Sequence, residues 1–493
     1  MKLNNKNLDQ INPVVKRPAY DRSSVTPGIV HIGVGAFHRA HQAYYTDKLM
    51  QQNEAFDWGF CGAGLRPEDK KVKSALAQQD YLYTLYELAD SDDKEVVVVG
   101  AIKDFILAET ELQRLLTTMA SEQIRIVSLT ITEGGYFTDD STGKFLSEHP
   151  EILHDVNFPD RPMTVFGVIA EALRRRKENG VAPFTVMSCD NLPHNGEVAK
   201  NALLSFTSLQ DPDLKQWIET HVTFPNAMVD RITPVTSAEH RQQLADKFDV
   251  EDEWPVVCEP FIQWVVEDKF CNGRPAWENV GVQFTDDVTP YETMKIGLLN
   301  GSHLALTYLG TLLGYQYAHQ TMEDENIRLF VREFMDKDVT PLLKPAPGID
   351  FDEYKDTLIE RFSNTEICDQ LTRICSDGSS KFPKFIFPTL KGLIRDEQSL
   401  DRVSLIVAAW CHYLRGVDES GALYNILDPR LDKLQSVCRK SGDITEEFLG
   451  FYEIFGSDIP QSQAFVDSFN RQLHNLRTIG VTKTIQSVLN KKV

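Results

Sequence analysis

Positive charge is scarce in this sequence. Against 72 Asp and Glu stand 51 Lys and Arg in 493 residues, a formal net charge of −21. A nucleic-acid binder needs a surplus of Lys and Arg along the phosphate backbone, so that class is excluded; docking on anionic lipid goes with it. Cysteine is sparse too. The eight residues Cys61, Cys189, Cys258, Cys271, Cys368, Cys375, Cys411 and Cys438 include no CxxC pair. A disulfide framework or a zinc cluster is not expected from that spacing, and a reducing compartment is. No apolar run approaches the roughly 18 residues of a membrane span. Residues 1–12 are polar and lack the apolar core of a secretory leader. What remains is a soluble cytoplasmic protein, and the 42% hydrophobic and 25% charged shares fit an ordinary globular chain.

At roughly 150 residues per domain the length allows about three units. The pattern divides the chain into two. Short β-branched runs occur at residues 29–32, 58–61, 95–99 (peripheral), 124–131, 184–187 and 256–258, with helical spacers at 110–120 and 165–178. Strands alternating with helices predict an α/β domain with a largely parallel sheet. Beyond residue 285 the chain turns mostly helical, with segments at 291–313, 325–335, 358–375, 400–414, 462–476 and 481–489. The expected domains are 1–285, α/β, and 286–493, mostly α-helical.

Two glycines follow the first strand, in Gly33-Val34-Gly35-Ala36-Phe37-His38-Arg39, and a helical stretch covers residues 40–50. A strand, a glycine turn and a helix N-terminus together cradle a pyrophosphate, because glycine lets the backbone approach and the helix end offers unpaired N–H groups. Gly33, Gly35, Ala36, Phe37 and Arg39 are therefore candidate cofactor contacts. The third glycine of the usual pattern is replaced by His38, and a plain βα turn is the alternative. The second strand leads to Glu68 and Asp69. An acid there accepts hydrogen bonds from the adenosine ribose and repels a 2′-phosphate, which favours NAD over NADP. Asp69 lies 36 residues after Gly33, beyond the usual spacing of about 20. The alternative for both acids is a solvated first helical turn behind Pro67. A turn of this kind also serves S-adenosylmethionine, but such sites commonly carry an acid just before the turn, where this chain has His31.

A second candidate site lies on one helix. Thr289-Pro290-Tyr291-Glu292 is a helix start, with Thr289 as N-cap, Pro290 at the first position and Glu292 completing a capping box. At about 100° per residue, with Lys295 at 0°, Glu292 falls at about 60°, His303 at about 80° and Asn300 at about 140°. Four polar groups share one arc of a leucine-rich helix. Gly297 and Gly301 remove bulk beside it, which implies that something packs closely there, since each costs about 1 kcal/mol in a helix interior. The wet side of an amphipathic surface helix is the competing explanation.

The set Gly33-x-Gly35-x-Phe37-His38-Arg39-x-His41 with Lys295-x-x-x-x-Asn300-x-x-His303 resembles the polyol-specific long-chain dehydrogenases/reductases. Three further stretches support the resemblance: Thr130-Ile131-Thr132-Glu133-Gly134-Gly135-Tyr136, Ser188-Cys189-Asp190-Asn191-Leu192-Pro193, and Ser376-Asp377-Gly378-Ser379-Ser380-Lys381-Phe382-Pro383. It covers nearly the whole chain. It implies a Rossmann-type dinucleotide-binding domain followed by a helical substrate-binding and catalytic domain. It also implies zinc-independent, NAD-linked oxidation of a secondary alcohol, such as D-mannitol to D-fructose and the reverse, with D-arabinitol and D-sorbitol as related polyols. In that family a lysine is the general base, matching Lys295. Two asparagines stabilise the oxyanion, matching Asn191 and Asn300. A histidine orients the substrate, matching His303, and an acid relays protons, matching Glu292. Asp230, Arg373 and Lys381 fall in stretches that resemble polyol-binding segments, and Glu133 joins the cofactor contacts. The family also suggests a monomer.

The chemistry asks for these groups. A lysine accepts a proton only if its pKa falls from about 10.4 toward working pH, which burial beside a positive nicotinamide favours. Two amide donors on the alkoxide form an oxyanion hole. A catalytic zinc would need three convergent ligands; His38 and His41, three apart, read instead as packing beside the glycine turn. Two other functions compete. A hexuronate reductase of the same family, interconverting mannonate and fructuronate, needs a cation that Arg373 or Lys381 could supply. A non-catalytic NAD- or sugar-binding protein has no need of the lysine.

Overall fold

The computed structural model describes residues 1–90, 94–139 and 142–490. It separates into two compact units, Met1–Val288 and Thr289–Val493.

The strands of the first unit are β1 (Pro27–Ile32), β2 (Gly59–Gly64), β3 (Tyr83–Glu87), β4 (Val96–Val99), β5 (Ile102–Leu107), β6 (Ile126–Leu129), β7 (Thr185–Ser188), β8 (Ala227–Asp230), β9 (Val256–Cys258), β10 (Gln263–Glu267) and β11 (Gln283–Thr285). The central sheet has the order β5-β2-β1-β6-β7, and all its pairings are parallel. This is the α/β architecture expected, with both faces covered, so Ile29, Val30, Ile126 and Val127 are all fully buried. The chain runs outward from β1 to one edge, then returns to β6 and runs to the other. In open α/β sheets a ligand crevice is expected at that reversal, beyond the carboxyl ends of β1 and β6. The peripheral strand at 95–99 corresponds to β4, which pairs in a separate sheet, β4-β3-β9. Strand β5 escaped the sequence reading because Lys103 and Asp104 interrupt its apolar run.

His31 of the first strand and His38 form a buried pair of imidazoles. His31 and His38 stack at 3.4 Å between ring centroids, 12° from parallel, with Phe60 edge-on to His38. Both are fully buried. His31 is held by Ser128 Oγ at 2.8 Å and Thr130 Oγ1 at 3.0 Å. Burial pushes the His31 imidazole down to about 3 and holds His38 well below its usual 6.5. Flat rings fill the position that a third glycine commonly keeps small for helix–strand contact.

The second unit is built from helices. One long helix starts at Thr289–Met294, passes through a π-turn at Lys295–Asn300 and continues as Gly301–Leu312; most of it is buried, with Asn300 and His303 partly exposed. The helix Asp401–Tyr413 is equally buried, and its Trp410 stacks on Phe382 at 4.4 Å. The single helix expected over residues 358–375 is two, Phe351–Ser363 and Leu371–Cys375. Between them Cys368 has φ 46°, a left-handed conformation through which no α-helix continues. Among the described residues no helix is long and apolar enough to cross a membrane.

The histidine stack sets a pH dependence. Both folded-state values lie below the unfolded 6.5, so the unfolded chain binds more protons as pH falls. Stability from this pair is complete above about 6.5 and is lost as pH falls toward about 3. Urea unfolding between pH 7 and pH 4 should show a falling midpoint, with a shallower slope in His38→Gln. Equal slopes in the two proteins would remove the stack as the cause.

Candidate active site

The glycine turn is a close approach of backbone to backbone. Gly33 has φ +96°, and a Cβ there would sit 2.1 Å from Thr130 O. Only glycine fits. Gly35 is different: its φ of −83° suits any residue, and a Cβ would meet nothing nearer than Gly33 O at 3.9 Å. Its missing side chain serves no internal packing; it leaves the mouth of the turn open to a ligand.

The helix after the turn differs from the one expected over residues 40–50. Helix begins earlier, at Ala36–Ala40, breaks at His41 (φ −124°, ψ −88°), and resumes as Gln42–Gln51. The break places His41 Nε2 at 2.9 Å from Gln263 O and Nδ1 at 2.9 Å from Gln42 Nε2. Arg39 needs correction as a phosphate contact. It is 2% exposed, donates from Nη1 to Trp254 O at 2.5 Å and lies over the Tyr83 ring. Ala36 and Phe37 are partly buried at the turn, packed against the core.

Three loops meet the turn's end of the sheet, one from each of β2, β6 and β7. After β2, Asp69 opens the helix Asp69–Ala77. Its Oδ2 accepts from Arg66 N at 2.9 Å, and it folds so tightly onto Gly64 that a Cβ there would lie 2.5 Å from Asp69 Cβ. The helix-start reading and the strand-tip position thus hold together. Glu68 is exposed just before that helix. After β6, Glu133 is exposed in the short turn Glu133–Tyr136, behind Thr132 at φ 62°, ψ 167°. A threonine in that region is strained, a feature that clusters at functional sites.

Asp190, after β7, holds the strain in place. Its carboxylate accepts from Thr132 N at 2.9 Å, Ile131 N at 3.0 Å and Tyr136 OH at 2.6 Å. Burial raises its pKa, and these donors oppose the rise. Asn191, the next residue, is exposed. The anchoring roles of Asp190 and Tyr136 were missed in the sequence; the signal was an acid at the carboxyl end of an otherwise apolar strand. Asp230 closes β8, buried, opposite Gln263 of β10.

In the second unit the π-turn changes the geometry of the polar arc. Gly301 N–H bonds Ile296 O, five residues back. An i→i+5 turn takes roughly one residue more per turn than an α-turn, so residues five apart come nearly into line. Lys295 and Asn300 are five apart. The arc of about 140° expected from a regular α-helix therefore narrows, and both groups project from one side of the same turn. Lys295 and Glu292 are 8% and 6% exposed. The His303 ring lies on Phe362 at 4.5 Å. What packs at the two glycines is now visible: Val339 at Gly297, and Phe334 and Phe385 at Gly301.

Arg373 and Lys381 are both engaged. Arg373 Nε and Nη2 grip Asp369 Oδ1 at 2.9 and 2.7 Å, and Nη2 also reaches Oδ2 at 2.6 Å. Lys381 donates to Ile374 O at 2.9 Å, and burial lowers its pKa. Gly378 sets its helix in place, since a Cβ there would lie 2.6 Å from Trp410 Nε1. Among the described residues, no group of three or more His, Cys, Asp or Glu could hold a metal ion.

The family model for the mannitol dehydrogenase Rossmann domain matches residues 27–279, and the model for the mannitol dehydrogenase C-terminal domain matches residues 287–477. The chain is 44% identical to a mannitol 2-dehydrogenase of Aspergillus fumigatus and 42% identical to one of Pyricularia oryzae, over 99% of each chain. Among solved structures it is similar to Pseudomonas fluorescens mannitol 2-dehydrogenase in ternary complex with NAD and D-mannitol, at 58% identity, TM-score 0.90 and full coverage of both chains. A substrate-free D-sorbitol dehydrogenase matches at 39% identity and TM-score 0.92, over 98% of this chain and all of the other.

The two glycines separate structure from binding. Gly33→Ala should cost about 3 kcal/mol or more, from strain plus overpacking, whereas Gly35→Ala should melt within a degree or two of the parent. A Gly35→Ala chain as destabilised as Gly33→Ala would show that Gly35 is needed for the turn itself.

Proposed function

The chain belongs to the mannitol dehydrogenase family, and on that premise we propose that it oxidises D-mannitol to D-fructose with NAD and runs the reverse reduction. Turnover of D-arabinitol and D-sorbitol, a monomeric state and a cytoplasmic location complete the reading. The observation that carries it is the pairing of Lys295 with Asn300 on one π-turn of a buried helix.

The first unit fits a dinucleotide. Gly35 leaves a cradle that a side chain would fill. Gly33, Gly35, Ala36 and Phe37 would line the pyrophosphate end, and Glu133 would stand beside it. Asp69, with Glu68 before it, would meet the adenosine ribose. When bound, NAD supplies the hydride acceptor. The remaining work belongs to the protein. Lys295 takes the hydroxyl proton, for which a neutral amine is required. Glu292, one turn earlier, passes that proton on. Asn191 and Asn300 donate to the alkoxide, each worth about 3 kcal/mol in such a hole. His303, braced by Phe362, orients the substrate, and Asp230, Arg373 and Lys381 hold its distal hydroxyls. No metal is required, because the lysine and the amides supply base and electrophile.

Of the two cations that a hexuronate could use, Arg373 is less available than Lys381, which donates to the Ile374 carbonyl. The charge of Arg373 is already met by the bidentate Asp369, so an incoming carboxylate would have to displace an existing pair. A non-catalytic NAD- or sugar-binding protein would leave the buried lysine without purpose.

A panel of polyols and aldonates, followed by NADH absorbance, tests the assignment: mannitol should lead. Preference for mannonate would replace the reading with the hexuronate reductase, and NAD binding without polyol oxidation would replace it with the binding protein. Lys295→Ala should lower turnover by about 10²- to 10⁴-fold with NAD affinity retained; unchanged turnover removes Lys295 from the chemistry. Asp69→Ser should raise NADP use relative to NAD. A cofactor preference that stays put would show that Asp69 does not read the ribose.

A further inference from the structure

The helix that carries Lys295 and Asn300 rests on a second π-turn. The helix Glu325–Glu333 runs into the π-turn Phe334–Val339, where Thr340 N–H closes onto Met335 O five residues back. Thr340 Oγ1 also donates to that carbonyl, at 2.7 Å. A Cβ on Gly297 would lie 2.6 Å from Val339 Cγ1, and one on Gly301 would lie 3.4 Å from Phe334 Cε1. The last residue of the second turn therefore packs at Gly297 within the first turn, and its first residue packs at Gly301 just after it. π-turns are well under 1% of residues, so this contact is not a by-product of helix propensity.

A buried ion pair holds the second turn. Asp338, 1% exposed, accepts at one oxygen from both Nε and Nη2 of Arg402, at 3.1 and 2.7 Å. Arg402, on the helix Asp401–Tyr413, is itself 6% exposed and has Glu333 at 3.5 Å. The other oxygen of Asp338 has no hydrogen-bond partner. A buried pair with one oxygen unserved is a poor source of net stability, and apolar replacements are often neutral. What the pair does fix is the place of its neighbour, Val339, which is 1% exposed against Gly297.

We propose that Val339 is a stop beneath the reactive π-turn, fixed by the Asp338–Arg402 pair, and that it sets the position from which Lys295 and Asn300 act. The inference rests on the reading of Lys295 as the base. Asp338, Val339 and Arg402 are positioning residues: they reach the chemistry only through Gly297. Because the glycine leaves no compressible side chain between the turns, a shift of Val339 passes directly to the backbone between Lys295 and Asn300. Reacting groups displaced by about 1 Å can lose about 100-fold in rate.

The test uses the full chain with D-mannitol and NAD. Gly297→Ala should lower kcat by about 10- to 100-fold and move the acid limb of the kcat–pH profile. NADH affinity, read by fluorescence titration, should stay within about twofold, because the glycine turn of the other unit is untouched. Gly297→Ala combined with Val339→Ala should recover most of the loss, since the clashing Cγ1 is gone. Asp338→Asn should lower kcat and move the same acid limb without changing NADH affinity. A folded Gly297→Ala chain with parental kcat overturns the proposal, as does a folded double variant no better than the single. Should Gly297→Ala fail to fold, Asp338→Asn decides: parental kcat and pH profile overturn the stop. Lys295→Ala keeps the two readings apart. If it retains turnover, the base assignment fails; if it is inactive while the other variants behave as parent, only the stop fails.

Discussion

The second unit depends on one departure from regular helix geometry. An α-helix would set Lys295 and Asn300 well apart around its circumference; the π-turn brings them to one side. That winding is not favoured by the chain itself, and Gly297 and Gly301 weaken it further. It persists because neighbours over-determine it: Val339 fills the space at Gly297, Phe334 and Phe385 close on Gly301, and the helix continues into a buried apolar stretch through Leu312. The proposed chemistry is thus carried by rigid helix, which holds reacting groups more tightly than a loop does.

The first unit depends on a close approach of a different kind. Gly33 lies against Thr130 O, so the ends of β1 and β6 meet at the point where the sheet's winding reverses. Asp190 then ties the turn after β6 to the end of β7 through three donors, holding Thr132 in a strained conformation. Glu133 and Asn191 flank that knot and are both exposed. The arrangement spends buried hydrogen bonds on the residues behind the candidate contacts, leaving the contacts themselves at the surface.

The parallel sheet and the helical second half were legible because they depend on periodicity and β-branched runs, which survive in a single sequence. The family resemblance was legible because Lys295, Asn300 and His303 occur at fixed spacing on one helix. Other features were hidden by rules that act through space. Nothing local marks a π-turn, so the sequence alone implies the wider arc of α-helical pitch. Arg39 looked like a phosphate contact because a charged residue after a glycine turn is commonly exposed; in the fold it is buried and donates to Trp254 O instead. The contacts Asp190–Tyr136 and Asp338–Arg402 could not be seen because each joins residues far apart along the chain. The acidic balance also has a narrower meaning. A neutral polyol needs no basic surface, and of the 72 acids only Asp69, Glu68, Glu133, Asp230 and Glu292 have a proposed part in binding or chemistry.

The proposed chemistry depends on Lys295 as the base that takes the hydroxyl proton. The most direct measurement is chemical rescue of Lys295→Ala by small primary amines, with mannitol oxidation followed as NADH formation in chelator-treated buffer. The rate should rise with amine concentration and with amine basicity, as general-base catalysis requires. A variant that binds NAD and mannitol yet shows no response to any amine would contradict the account.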